Sequence, residues 1–166
     1  AADDFPAGAD PVTAIRFWGI TNGGPFGFCP DFAANVYADA GGMPGELVCS
    51  NVAPATCTEV DGFPGLVSYE HCIELAEPCA QDGPQWLAMV ANYCRGGAGD
   101  GQWFWTTNNN TMGSQIYFRG AIFGFPDWVP GDVVFGTPYD PAFELLYAGG
   151  TPSLDSSWSN VKSLYR

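Results

Sequence analysis

The chain is short of positive charge. Among 166 residues only Arg16, Arg95, Arg119, Lys162 and Arg166 are basic, and the formal net charge is −13. No basic patch can form over most of such a sequence, so nucleic acid and anionic membrane surfaces are excluded as expected partners. Histidine is nearly absent as well. His71 is alone, too few for a Cys/His zinc set, and none of the six cysteines forms a C-x-x-C pair. There is no G-x-S-x-G, no H-E-x-x-H and no P-loop. No apolar run reaches the ~18 residues that cross a bilayer as a helix. Nucleophilic catalysis needs a base beside its nucleophile. His71, read as a residue on an edge strand, is not expected to supply one. The carboxylates Glu70 and Glu74 share a strand face in the manner of a glycosidase pair. A chain with 18 acidic residues offers such pairs without design, so the expectation is a protein that is not an enzyme.

Glycine, proline and aromatic side chains are plentiful: 22 Gly, 14 Pro and 15% aromatic, within a composition that is 46% apolar. That apolar share sustains a core, and the length suits one domain. Gly and Pro cut the chain into short runs whose β-branched and aromatic residues suit a pleated surface. Strands are expected at Val12 to Thr21, Asp31 to Asp39, Leu47 to Val52, Thr56 to Val60, Leu66 to Leu75, Gln85 to Tyr93, Gln102 to Thr107, Gln115 to Phe123, Val133 to Phe135 and Pro141 to Tyr147. The Leu47 and Thr56 runs are expected to pair as a hairpin. The pattern predicts an all-β fold, a two-sheet antiparallel β-sandwich of jelly-roll type over residues 1–150. Residues 151–166 read as a docking segment that ends in a short C-terminal helix. There Trp158, Val161, Leu164 and Tyr165 recur at helical spacing, with Lys162 and Arg166 near its C-terminus.

Cys29, Cys49, Cys57, Cys72, Cys79 and Cys94 are even in number and read as three disulfides, which places the chain outside the cytosol, secreted or on a cell surface. Spacing does not choose among the fifteen pairings that six cysteines allow. Cys49–Cys57 would close a short loop around Pro54. The start, Ala1-Ala2-Asp3-Asp4, reads as what signal cleavage after small residues leaves behind.

Two binding chemistries can be read from residue types. Ca²⁺ takes several carboxylate and carbonyl oxygens, and Asp3 and Asp4 near the start would meet Asp140 and Glu144 if the first and last strands are neighbours. Trp103 and Trp105 fall on one face of their strand, where exposed indoles would stack on sugar rings, with Asn108 beside them to bond hydroxyls. The alternative for the two tryptophans is that they fill the core.

Several segments carry a resemblance: Ala2-Asp3-Asp4-Phe5, Tyr37-Ala38-Asp39, Gly42-Met43-Pro44-Gly45, Trp103-Phe104-Trp105, Asp140-Pro141-Ala142-Phe143-Glu144-Leu145 and the ending from Trp158 to Arg166. Together the chain resembles secreted bacterial jelly-roll, or β-sandwich, surface modules of unknown function. The resemblance implies export, a two-sheet sandwich and a cell-surface or matrix role, with no catalytic residues to carry over. The functional expectation is a structural or adhesive protein that assembles into homo-oligomers or polymers through Trp158, Val161, Lys162, Leu164, Tyr165 and Arg166. The alternative is a carbohydrate-binding module that uses Trp103 and Trp105.

Overall fold

Period-two burial organises the chain. Phe32, Ala34 and Val36 bury on one side of their strand, and Ile15 with Phe17, Ile73 with Leu75, and Leu87 with Met89 do the same on theirs. In the computed structural model, residues 1–6, 8, 10–22, 31–60, 67–92, 102–108 and 115–148 are described. They are 70% strand and 7% helix, an all-β fold. The strands are β1 (Asp3–Phe5), β2 (Val12–Asn22), β3 (Asp31–Asp39), β4 (Pro44–Pro54), β5 (Thr56–Val60), β6 (Val67–Cys79) and β7 (Gln85–Asn92). They continue with β8 (Gln102–Trp105), β9 (Thr107–Asn108), β10 (Tyr117–Gly120), β11 (Phe125–Pro130), β12 (Asp140–Pro141) and β13 (Phe143–Tyr147).

Two antiparallel sheets face each other. One has the order β1-β7-β3-β4. The other runs β13-β2-β6-β5, and β8 joins the same side of β2 as β13, end to end with it. The core between them draws Phe5, Phe32, Val36, Ala53, Leu87 and Met89 from the first sheet and Ile15, Phe17, Ile73, Leu75 and Trp105 from the second. A second cluster lies on the outer face of the first sheet, where the β10–β11 hairpin lays Tyr117 and Trp128 over Tyr37, Trp86 and Ala88. β7 is therefore covered on both faces over its first half. This explains why its sequence, Gln85-Trp86-Leu87-Ala88-Met89, lacks alternation.

Three expectations need correction. β4 and β5 do not form a hairpin: β4 pairs with β3 and β5 with β6, so the chain changes sheets at Ala55, just past Pro54, which has no N–H to carry the ladder on. Val133 to Phe135 is not strand but part of a helical turn, α1 (Gly131–Phe135). Gly136, at φ 78, closes it by donating to Asp132 O at 2.8 Å, so local turn chemistry outweighs the β preference of two valines. The last strand is broken at Ala142, which donates to Thr106 O at 2.9 Å and accepts from Trp18 N at 3.2 Å. The expected C-terminal helix and docking segment, 151–166, lie outside the described residues.

Candidate functional site

The cysteines act first on architecture. Cys49 bonds Cys79 with Cα atoms 5.8 Å apart, which overturns the Cys49–Cys57 pairing. The bridge ties β4 of one sheet to the end of β6 in the other, and beside it Asn51 exchanges hydrogen bonds with the Glu77 backbone, each at 3.2 Å. Closing a loop of 30 residues restricts the unfolded chain by about 3–4 kcal/mol. Cys57 is also disulfide-bonded. Cys72 carries a free thiol, so it does not join the three-bridge set read from the sequence. The pleat explains this: Cys57 faces His71 on the inner side, and Cys72, one residue on, faces outward beside Arg16. Burial pushes the Cys72 thiol above its usual range. Cys29 and Cys94 lie outside the described residues.

His71 is a core residue and not an edge one, since β6 runs between β2 and β5. It is 1% exposed, and its ring stacks on Phe17 with centroids 5.0 Å apart. Both ring nitrogens are committed. Nδ1 lies 3.0 Å from Cys57 Sγ, and Nε2 lies 3.2 Å from Trp103 Nε1. An indole N–H only donates and a disulfide sulfur has no proton, so Nδ1 carries the hydrogen and Nε2 accepts. Burial lowers the His71 pKa to about 4, and the ring stays neutral at pH 7. A histidine so enclosed is a packing and hydrogen-bonding element.

Trp103 and Trp105 do share a face, but it is the inner one. Trp105 is 9% exposed and donates from Nε1 to Ala142 O at 3.0 Å. Trp103 is partly buried, edge-on to Phe32 at 5.0 Å, and lies over Gly19. The exposed indole platform needed to stack on a sugar is not formed, and Phe104 is the exposed ring of that strand. The side chain of Asn108 lies outside what is described.

Of the four carboxylates proposed for calcium, the structure joins Asp3 and Asp140. Asp3, on β1, is 2% exposed and hydrogen-bonded to Asp140 of β12. Burial, then Asp140 and Asp4, push the Asp3 carboxyl up to about 10, so at pH 7 Asp3 is protonated and donates to Asp140. Glu144 sits elsewhere and accepts from Arg16 Nη1 at 2.8 Å, while Arg16 Nε lies 3.5 Å from Glu70. The break at Ala142 separates Asp140 from Glu144 into different pairings, with β9 and β2. Among the described residues no group of three His, Cys, Asp or Glu is gathered as a metal set. The arginine also holds Glu70, one member of the carboxylate pair weighed for glycoside chemistry.

A feature that the sequence did not announce is an apolar lobe outside the sandwich. Phe118 of β10 packs against Phe123, Phe125 and Phe135 at 6.0, 5.9 and 5.5 Å, and Phe135 against Tyr139 at 5.8 Å. On the inner side Arg119 holds the hairpin to the sheet, 4.4 Å from the Trp128 ring and donating to the Tyr37 hydroxyl at 3.1 Å. On the outer side Ile122 is 89% exposed, Val133 67% and Phe123 62%. The stretch Gly120 to Pro126 carries no charge in a chain of net −13. Apolar residues at a turn tip were the available signal, because turns are ordinarily polar. The expected assembly residues Trp158, Val161, Lys162, Leu164, Tyr165 and Arg166 lie outside the described residues. In comparisons with protein-family models, curated proteins and solved structures, nothing matches the chain.

Proposed function

We propose that this chain is a non-enzymatic, extracellular structural or adhesive protein that associates with copies of itself. The observation that carries the reading is the lobe: Ile122, Phe123 and Val133 stand in water around one aromatic cluster, a grouping that marks contact surfaces. Burying three such side chains stabilises a contact by about 5–9 kcal/mol before the entropy of association is subtracted, at about 1.5–3 kcal/mol each. Association itself costs about 4–15 kcal/mol. One such contact is weak, and repeated contacts along an assembly would hold through avidity. The Cys49–Cys79 disulfide is compatible with an oxidising, extracellular setting, and the resemblance to secreted surface modules points the same way.

Sedimentation velocity over a wide concentration range, joined to negative-stain microscopy, tests the reading. The wild type is expected to sediment faster as concentration rises. The double variant Ile122→Asp, Phe123→Asp should remain monomeric with an unchanged circular dichroism spectrum. A wild type that stays monomeric at every concentration refutes self-assembly.

A further inference from the structure

The two outer faces of the sandwich differ in charge. The second sheet turns Arg16, Glu70 and Glu144 outward, with the arginine 3.5 and 2.8 Å from the two carboxylates, as a face in contact with water does. In the first sheet, residues 32–38 of β3, 47–54 of β4 and 85–92 of β7 hold no charged side chain, in a chain of net −13. The β10–β11 hairpin covers part of that uncharged face, at Tyr37, Trp86 and Ala88. Beyond the hairpin the face stays open. Val52 stands opposite Ala33, and Ala33 opposite Val90, so the three form one row across β4, β3 and β7. The row points outward, because the flanking Phe32, Ala34 and Met89 fill the core between the sheets. Val52 is 60% exposed and Val90 51%. The next row is uncharged too, with Ser50 donating to Asn35 at 2.8 Å.

We propose that the lobe of one copy, at Ile122 and Phe123, seats on the Val52–Ala33–Val90 row of another. The proposal rests on the self-association argued above and supplies the other half of its contact. Two copies of a chain of net −13 repel each other wherever their acidic side chains meet. They close best where both surfaces lack charge and expose apolar groups, the composition of an interface core. The row meets that condition, and so does the lobe tip, which has no charge from Gly120 to Pro126. Their shapes match as well. Ile122 projects from its turn, and the small side chain of Ala33 between two valines leaves a dip in the row. Two lobes set tip to tip are both convex and touch over little area. Each copy carries a lobe and a row, so the contact can repeat from copy to copy.

Sedimentation velocity on the full chain, with its disulfides intact, tests the contact by mixing two variants. Ile122→Asp, Phe123→Asp keeps its row, and Val52→Asp, Val90→Asp keeps its lobe. Alone, each should associate roughly a hundredfold more weakly than the wild type. Mixed in equal amounts they should form a heterodimer, because one supplies the row and the other the lobe. A mixture that stays monomeric while the wild type assembles overturns the contact and leaves self-association standing. A wild type that stays monomeric sinks both readings. If the row variant does not fold, Phe123→p-benzoylphenylalanine decides, irradiated with nitrogen-15-labelled wild type. Crosslinks to labelled peptides that hold Val52 or Val90 support the contact, and crosslinks from lobe to lobe overturn it.

Discussion

Acidifying the protein should charge His71, and the structure sets how much that costs. Its folded pKa is about 4 against 6.5 for an unhindered imidazole. The unfolded chain therefore takes up the proton first. The stability contributed by a neutral, buried His71 is fully present above pH 6.5 and drains away as pH falls to about 4. The loss comes to about 3 kcal/mol, because each pH unit between the two values is worth about 1.4 kcal/mol. Asp3 works in the opposite direction. Its folded pKa is about 10 against 3.8 unfolded, so its contribution is complete below pH 3.8 and declines as pH rises towards 10. By pH 7 that decline is about 4 kcal/mol. Between roughly pH 4 and 6.5 the two slopes cancel. The Ala1 amino group adds a third slope: burial, then Arg119, lowers its pKa from 8.0 to about 6, so its contribution grows from pH 6 to 8 and offsets the Asp3 decline over that range. In the wild type, urea unfolding followed by intrinsic fluorescence should give a stability that is level from about pH 4.5 to 8 and falls by about 1.4 kcal/mol per pH unit above 8. In Asp3→Asn the profile should be level above about pH 8 and fall below it, with the Ala1 and His71 slopes unmasked. At pH 7 the variant should be the more stable, by up to about 4 kcal/mol. That is about 2 M in urea midpoint for a slope of about 2 kcal/mol/M. A wild type whose stability climbs between pH 6.5 and 8 would falsify this reasoning.

Gly19→Ala should disturb the same core from its other side. A Cβ there would lie 2.0 Å from Trp103 Nε1, so the indole must move and its bond to His71 break. The expected loss is about 1–3 kcal/mol with a shifted tryptophan emission, and unchanged emission would count against the packing. Replacing both Cys49 and Cys79 by alanine should cost about 3–4 kcal/mol in the same urea assay, and a loss under 1 kcal/mol would mean that the unfolded chain gains little freedom when the bridge is removed.

Where the sequence was informative, the signal was local. Asp31 to Asp39 and Thr56 to Val60 emerge as strands with the expected boundaries because alternation and flanking turns lie within the segments themselves. The shared face of Trp103 and Trp105 follows from the pleat. Whether that face looks inward depends on Phe17, Phe32 and His71, which only the assembled sheets bring near. The partners of β4 and β5 are hidden from the sequence for the same reason: adjacency in the chain favours a hairpin, and the actual partners are chosen by burial. The meeting of Asp3 with Asp140 could be anticipated from a first strand lying near a late one. The departure of Glu144 could not, because it depends on the backbone bonds of Ala142 with Thr106 and Trp18. The lobe is not legible in the sequence, because phenylalanines between glycines and prolines serve equally well in a core.

β2 is the hub of the second sheet. Ile15 lies beside both Ile73 and Leu145, and Gly19 beside both Tyr69 and Trp105. Its neighbours thus arrive from three separate later stretches of chain. During synthesis its Val12–Phe17 part waits with one side bare until Phe143–Tyr147 has been made, so the sheet is completed late and by distant closures. Throughout that interval the Val12–Phe17 edge of β2 offers unpaired backbone groups, and any factor that shields that edge over that period acts on the whole fold.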